Sequence, residues 1–149
     1  MATDIIKIER KSRQYKTHLL KEGVVRVGFF PDSRYDGNLS VAQVARYNEF
    51  GLGVPARPFM RPSVMERKQD LVNLLHRTYR QALRDNTDTL TALESFGEFV
   101  KGLIQERIVQ TTTPPNAPST IKRKGFNAPL RDTGIMLHSV RYQAEENRK

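Results

Sequence analysis

VAQVARYNEFGLGVPARPFMRP, residues 41–62, carries three signals in succession. Val41, Val44, Ala45 and Tyr47 recur at close to helical spacing, which predicts a short amphipathic helix with Ser40 as its N-cap. Gly51 and Gly53 then break the run, because glycine accepts the positive φ of a helix exit. Pro55, Pro58 and Pro62 follow, each fixing its own φ and holding its predecessor extended. The expected result is a stiff basic ribbon bearing Ala56, Arg57, Phe59, Met60 and Arg61. Such a segment has little order left to lose, so it suits docking against a partner.

Upstream of this stretch, Val25, Val27 and Phe29 alternate within a β-branched and aromatic run, predicting a strand over about 23–30. Residues 31–33 end it and residues 34–38 read as a turn-rich loop. Nearer the start, Ile5, Ile6 and Ile8 look extended, and residues 11–21 read as a basic amphipathic helix.

Downstream, Ser63 and Glu66 have capping-box spacing at the head of a helix expected over 63–84. Val64, Leu71, Leu74, Leu75, Tyr79, Ala82 and Leu83 form its apolar stripe, and its arginines read as a solvated face. Residues 85–88 are a break rich in capping residues. A second helix over 89–109 follows, with Leu90, Leu93, Phe96, Val100, Leu103, Ile104 and Ile108 in register. Gly97 and Gly102 weaken it by roughly 1 kcal/mol each relative to alanine, which a close approach of another element would explain.

Residues 111–134 read as a long polar loop with one short turn at 121–124, capped by Ser119 and Thr120. Asp132 is expected to cap a turn over Ile135, Met136 and Leu137, and residues 139–144 alternate as a strand. The fold class is therefore α+β, a single domain over 1–149. A small, mainly antiparallel sheet from 23–30 and 139–144, with 5–8 or parts of the proline loops as further candidates, packs against two long antiparallel helices. Long proline-containing loops and a basic N-terminal segment, 1–22, complete it.

Composition narrows the function. The chain has 149 residues, net charge +9 and no cysteine. Disulfides, thiolate zinc sites and cysteine nucleophiles are therefore excluded. No membrane-spanning run and no signal-peptide pattern is expected, so no membrane partner is either. The charge implies polyanionic surroundings. It gathers toward both ends: seven Lys/Arg against three acids in 1–26, and the same again in 122–149. His18, His76 and His138 lack ligand-spaced neighbours, and no dinucleotide, phosphate-loop or nucleophile-elbow motif occurs. Asp32 with Asp36, or Glu145 with Glu146, read as exposed acids rather than a nuclease pair. The expectation is a non-enzyme without metal or cofactor.

Asn48, Glu49, Phe50 and Gly51, followed by Val54, Pro55, Ala56, Arg57, Pro58 and Phe59, resemble the EFG…PPRPF signature of tailed-bacteriophage tail-completion proteins. That family is also described as minor tail, neck or virion-morphogenesis components. A second cluster is similar to the family's C-terminal pattern: Pro115, Asn116, Pro118, Thr120, Lys124, Gly125, Pro129, Leu130, Asp132, Thr133, Gly134, Ser139 and Val140. Arg131 departs from it, since members often have an aliphatic residue there, and His138 stands at a position expected to vary. The resemblance spans roughly residues 25–142.

It implies a structural virion protein forming a homo-oligomeric ring, of about six or about twelve copies, at the head–tail junction or upper tail end. Implied partners are the connector or adaptor and the tail terminator or tail tube proteins, with non-specific contact to DNA in the lumen. The implied location is the virion, and the host cytoplasm during assembly. On this reading Glu49, Phe50, Arg57, Pro58, Phe59 and Arg61 form one contact surface, and Asn116, Lys124, Leu130 and Asp132 another. Lys122, Arg123 and Lys124 are candidates to face DNA. Arg57→Glu with Phe59→Ala is expected to leave the monomer folded and block particle completion. Two other classes stay open: a basic nucleic-acid-binding module, and an assembly chaperone that leaves the finished particle.

Overall fold

Two seven-residue strands and one long helix carry the frame of the computed structural model, which describes residues 21–146. Strands β1 (Gly23–Phe29) and β2 (Val140–Glu146) pair antiparallel, from Gly23 opposite Glu146 to Phe29 opposite Val140. Val25, Val27 and Phe29 share the inward face, while Val24 and Arg26 point to solvent. The segments 1–20 and 147–149 lie outside the described residues, and with them the expected strand at 5–8 and all but the last residue of the basic helix at 11–21.

Among the described residues there are six α-helices. They are α1 (Val41–Phe50), α2 (Met60–Met65), α3 (Lys68–Asp85), α4 (Thr89–Gln110), α5 (Pro118–Lys124) and α6 (Ile135–His138). Helix α4 lies across both strands, and α3 packs on α4 rather than beside it on the sheet. The fold class is α+β, as read from the sequence, but one helix and not two covers the sheet.

Gly97 explains how close α4 comes. A Cβ placed there would stand 2.8–2.9 Å from Tyr142 and Val25. Gly102, five positions on, faces open space with nothing within 4 Å, so the close approach expected there does not occur. Asp88 caps α4 by accepting from the Thr91 amide at 2.9 Å. Asn86, in the left-handed region at φ 54°, closes α3, and residues 86–88 turn the chain back.

The core runs from Val41 and Ala45 on α1 through Leu71 on α3 and Val100, Ile104 and Ile108 on α4 to Met136 and Val140. Phe59 and Leu130 enter it from the loops. Phe59 is fully buried and meets Phe29 edge to face, with ring centroids 6.0 Å apart.

The predicted helix over 63–84 is two helices. Ser63 is buried inside α2, where its hydroxyl donates to the Phe59 carbonyl, so it caps nothing and the capping box does not form. A different carboxylate sets the helix start three residues earlier.

Candidate functional site

That carboxylate is Glu49, at the end of α1 and only 4% exposed. Its Oε2 accepts from the amides of Phe59 at 2.7 Å and Met60 at 2.9 Å. Its Oε1 accepts from the Arg61 amide and from Arg61 Nε, both at 3.0 Å. A negative charge here satisfies the first free amides of α2 and opposes the positive end of the helix dipole. Burial pushes the Glu49 carboxyl up, but the amides of Met60, Phe59 and Arg61 together with the Arg61 guanidinium outweigh it and hold the group below the ordinary carboxylate value.

Gly51, with φ 71°, lets the chain leave α1 and double back. A Cβ at Gly51 would stand 3.0–3.2 Å from Ala56, so the turn closes on itself here. The returning segment is pinned where the Arg57 amide donates to the Asn48 carbonyl at 2.7 Å.

Arg57 joins this turn to the distant loop. Its Nε donates to the Pro114 carbonyl at 2.7 Å and a terminal nitrogen donates to the Pro115 carbonyl at 2.8 Å. The guanidinium is a rigid fork and it spans two successive carbonyls that no backbone amide among the described residues serves. Asn127 holds the same loop from its other side, accepting from the Asn116 amide at 3.0 Å. Lys124, in the last turn of α5, donates to the carbonyls of Ala128 and Arg131. Burial pulls the Lys124 ammonium below its ordinary pKa. Arg123, Arg57 and Arg131 act in the same direction, and Asp132 opposes them.

The predicted contact residues therefore separate. Glu49, Arg57, Phe59, Asn116 and Leu130 are buried, at 8% exposure or less, and work inside the fold. Their reading as surface contacts is corrected: Glu49 and Arg57 serve the chain's own backbone, Phe59 and Leu130 its core, and Asn116 is buried with its amide donating to Asn127. The expectation that Arg57→Glu with Phe59→Ala leaves the monomer folded falls with it. Lys124 is likewise turned inward rather than toward DNA.

Phe50, Pro58, Arg61 and Asp132 do reach solvent, as do Lys122 and Arg123. Asp132 does not cap α6; its carboxylate lies 3.7 Å from Arg123, and Gly134 at φ 82° takes the cap position. Arg61 stacks over the Phe50 ring at 4.6 Å, leaving that ring half exposed. Beside it lies an apolar groove of about 460 Å³, lined by Val27, Phe29, Phe30, Phe50 and Met60 with Arg26 and Arg46 at hand.

Sequence reasoning missed Asn48, Asn127 and Arg131 as parts of this unit. Asn48 stands only as a member of the family signature and Arg131 only as a departure from it, and no local pattern marks the partners they and Asn127 find elsewhere in the turn and loop. Among the described residues no cluster of three His, Asp or Glu is placed to hold a metal, and no helix is long and apolar enough to cross a membrane. Compared with known proteins, the chain matches no family model, no curated protein and no solved structure.

Proposed function

We propose that this chain is a structural protein of a tailed bacteriophage, forming a ring at the head–tail junction or upper tail end that completes the tail or joins it to the head. The observation that carries the reading is Arg57. Its partners Pro114 and Pro115 lie 57 and 58 positions away in sequence, yet the two clusters that resemble the tail-completion family meet through it in one hydrogen-bonded unit. A signature whose halves interlock in this way supports one shared architecture rather than two chance matches.

The ring contact we assign lies where the same unit turns outward. Phe50 at the end of α1 and Leu52 and Val54 in the loop after it are 53%, 46% and 40% exposed, and Pro58 and Arg61 further on are exposed too. Of these, Phe50 lines the groove formed with Phe29, Phe30 and Met60. Closed rings need a heterologous contact, one face of a copy against a different face of the next, and this groove offers one half of it.

The test is the copy number of this chain in purified particles of its source phage. A fixed count of about six or about twelve supports the ring. Absence from mature particles, with the chain still required to make them, favours the chaperone reading. Exposed Lys122 and Arg123 and the +9 charge favour the nucleic-acid reading, whose mark is steeply salt-dependent DNA affinity of the isolated chain.

A further inference from the structure

The groove beside Phe50 runs along the free edge of the sheet. Residues 26–30, the last four of β1 and the one after it, all line it. Side chains alternate between the two faces of a strand, so five consecutive residues meet one cavity only along the strand's edge. The other edge of β1 is taken by β2, none of whose residues lines the groove. Among the described residues β1 has no second strand neighbour. The opposite wall is one face of α1, where Ala42 and Ala45 leave width and Arg46 stands at the rim. An apolar slot between a bare strand edge and a helix has the shape of a site for an extended segment.

We propose that residues 4–9 of a neighbouring copy of this chain lie extended in the groove, beside the free edge of β1. The inference rests on the ring reading, whose heterologous contact it completes. Ile5, Ile6 and Ile8 are β-branched and stand between Asp4 and Glu9. In an extended chain Asp4, Ile6 and Ile8 share one face, which sets the isoleucines against the alanines of α1 and the acid beside Arg46. Residues 4–9 hold two acids against one lysine in a chain of net charge +9, and the groove matches that sign. Arg46 is exposed and makes no ion pair among the described residues, while Glu49 is already engaged by the amides of α2. Placement favours the next copy over the chain's own segment. The Lys21 amide donates to Thr89 Oγ1 at 2.7 Å, and that hydroxyl donates to the Lys21 carbonyl at 3.0 Å, which fixes the chain at the far end of β1. Attachment point and groove therefore stand at opposite ends of a strand about 20 Å long, the head-to-tail arrangement that a closing ring needs. Residues 10–20 can span roughly 35 Å when extended, enough to leave one copy and enter the next. A tight hairpin at residues 21–22 would instead lay residues 13–17 along the chain's own β1, with Arg13 and Lys16 against Arg46.

The chain has no cysteine, so engineered ones report the contact. Particles of the source phage are assembled in cells that supply the Ile6→Cys and Ala42→Cys chains together, then purified and oxidised. A covalent dimer of this chain is expected from the mixture and not from particles that hold either variant alone. Should Ala42→Cys fail to fold, Arg46→Cys at the exposed rim takes its place. Ile6→Asp with Ile8→Asp is expected to leave the thermal midpoint of the isolated chain unchanged and to lower its copies per particle about tenfold, since the groove offers those charges no partner. A fixed copy number without the mixed dimer overturns this inference and leaves the ring standing. Absence of the unaltered chain from particles overturns both. Unchanged incorporation of the aspartate variant overturns the inference as well. So does a lowered midpoint of that variant in the isolated chain, which would put the segment in its own groove.

Discussion

The α4–sheet layer and the loop unit around Glu49 and Arg57 are held together by different physics. In the first, Val25 and Tyr142 close on Gly97 of α4 while Val100 and Ile104 of the same helix join the apolar core, and contact follows from helix and strand periods. In the second, charged side chains act as internal struts, each reaching backbone groups that no ladder serves. The layer tolerates exchange of similar apolar residues. The loop unit depends on a few atoms whose removal orphans buried polar groups.

The comparison is broken most severely at Glu49. Glu49→Ala leaves the amides of Phe59, Met60 and Arg61 without their acceptor. At roughly 1–3 kcal/mol for each buried amide orphaned, a loss of about 4 kcal/mol is expected. Urea unfolding reads it directly, and a loss under about 1 kcal/mol would mean that water replaces the carboxylate. Acid tests the same group without mutation. Its folded pKa lies below the ordinary value of 4.5, so its contribution is full above that pH and is lost as pH falls through the folded value. Glu49→Gln should flatten that acid limb.

In the layer, Gly97→Ala is the matching cut. The added methyl overlaps the Tyr142 ring and Val25 at 2.8–2.9 Å, so α4 must lift from the sheet. Overpacking of this kind costs about 1–3 kcal/mol, read as a lowered thermal midpoint. No change would show that the layer yields more easily than its packing suggests.

Arg57→Lys sharpens the contrast further, since it keeps the charge and removes the fork. One ammonium cannot span the Pro114 and Pro115 carbonyls as Nε and a terminal nitrogen do. About 1–2 kcal/mol should be lost, with faster amide exchange at Asn116 and little change in α4. Uniform acceleration across the molecule would instead make the strut part of global stability.

The same contrast decides what the sequence discloses. The strand at Val25, Val27 and Phe29 and the stripe of α4 follow from local pattern and appear as read, and the break at 85–88 supplies the α4 cap, Asp88. The reading of residues 55–62 as an exposed ribbon holds for the irregular, largely exposed segment 55–58 but not for Arg57 and Phe59, which are buried, because Glu49, ten positions back from Phe59, seats its amide at the head of α2. Ser63 and Glu66 spell a capping box, yet the stronger acceptor lies elsewhere in the chain. Arg57 and Lys124 read as surface cations for want of any local sign that distant carbonyls await them. Long-range polar pairing leaves no period in a sequence, whereas burial of a helix face does.

Gly102→Ala should move stability the other way. It sits in the same helix as Gly97 but is exposed, and a Cβ there meets nothing within 4 Å. Alanine in an exposed helix interior loses less backbone entropy than glycine, so a gain of about 0.5–1 kcal/mol is expected. Combined with Gly97→Ala the two effects should add, because their side chains share no neighbour. On the proposed ring assembly, a Gly102→Ala that destabilises the ring while stabilising the isolated chain would mean that another chain approaches α4 at that point. Open space in the monomer would then be a contact surface, and the glycine would serve the assembly as Gly97 serves the fold.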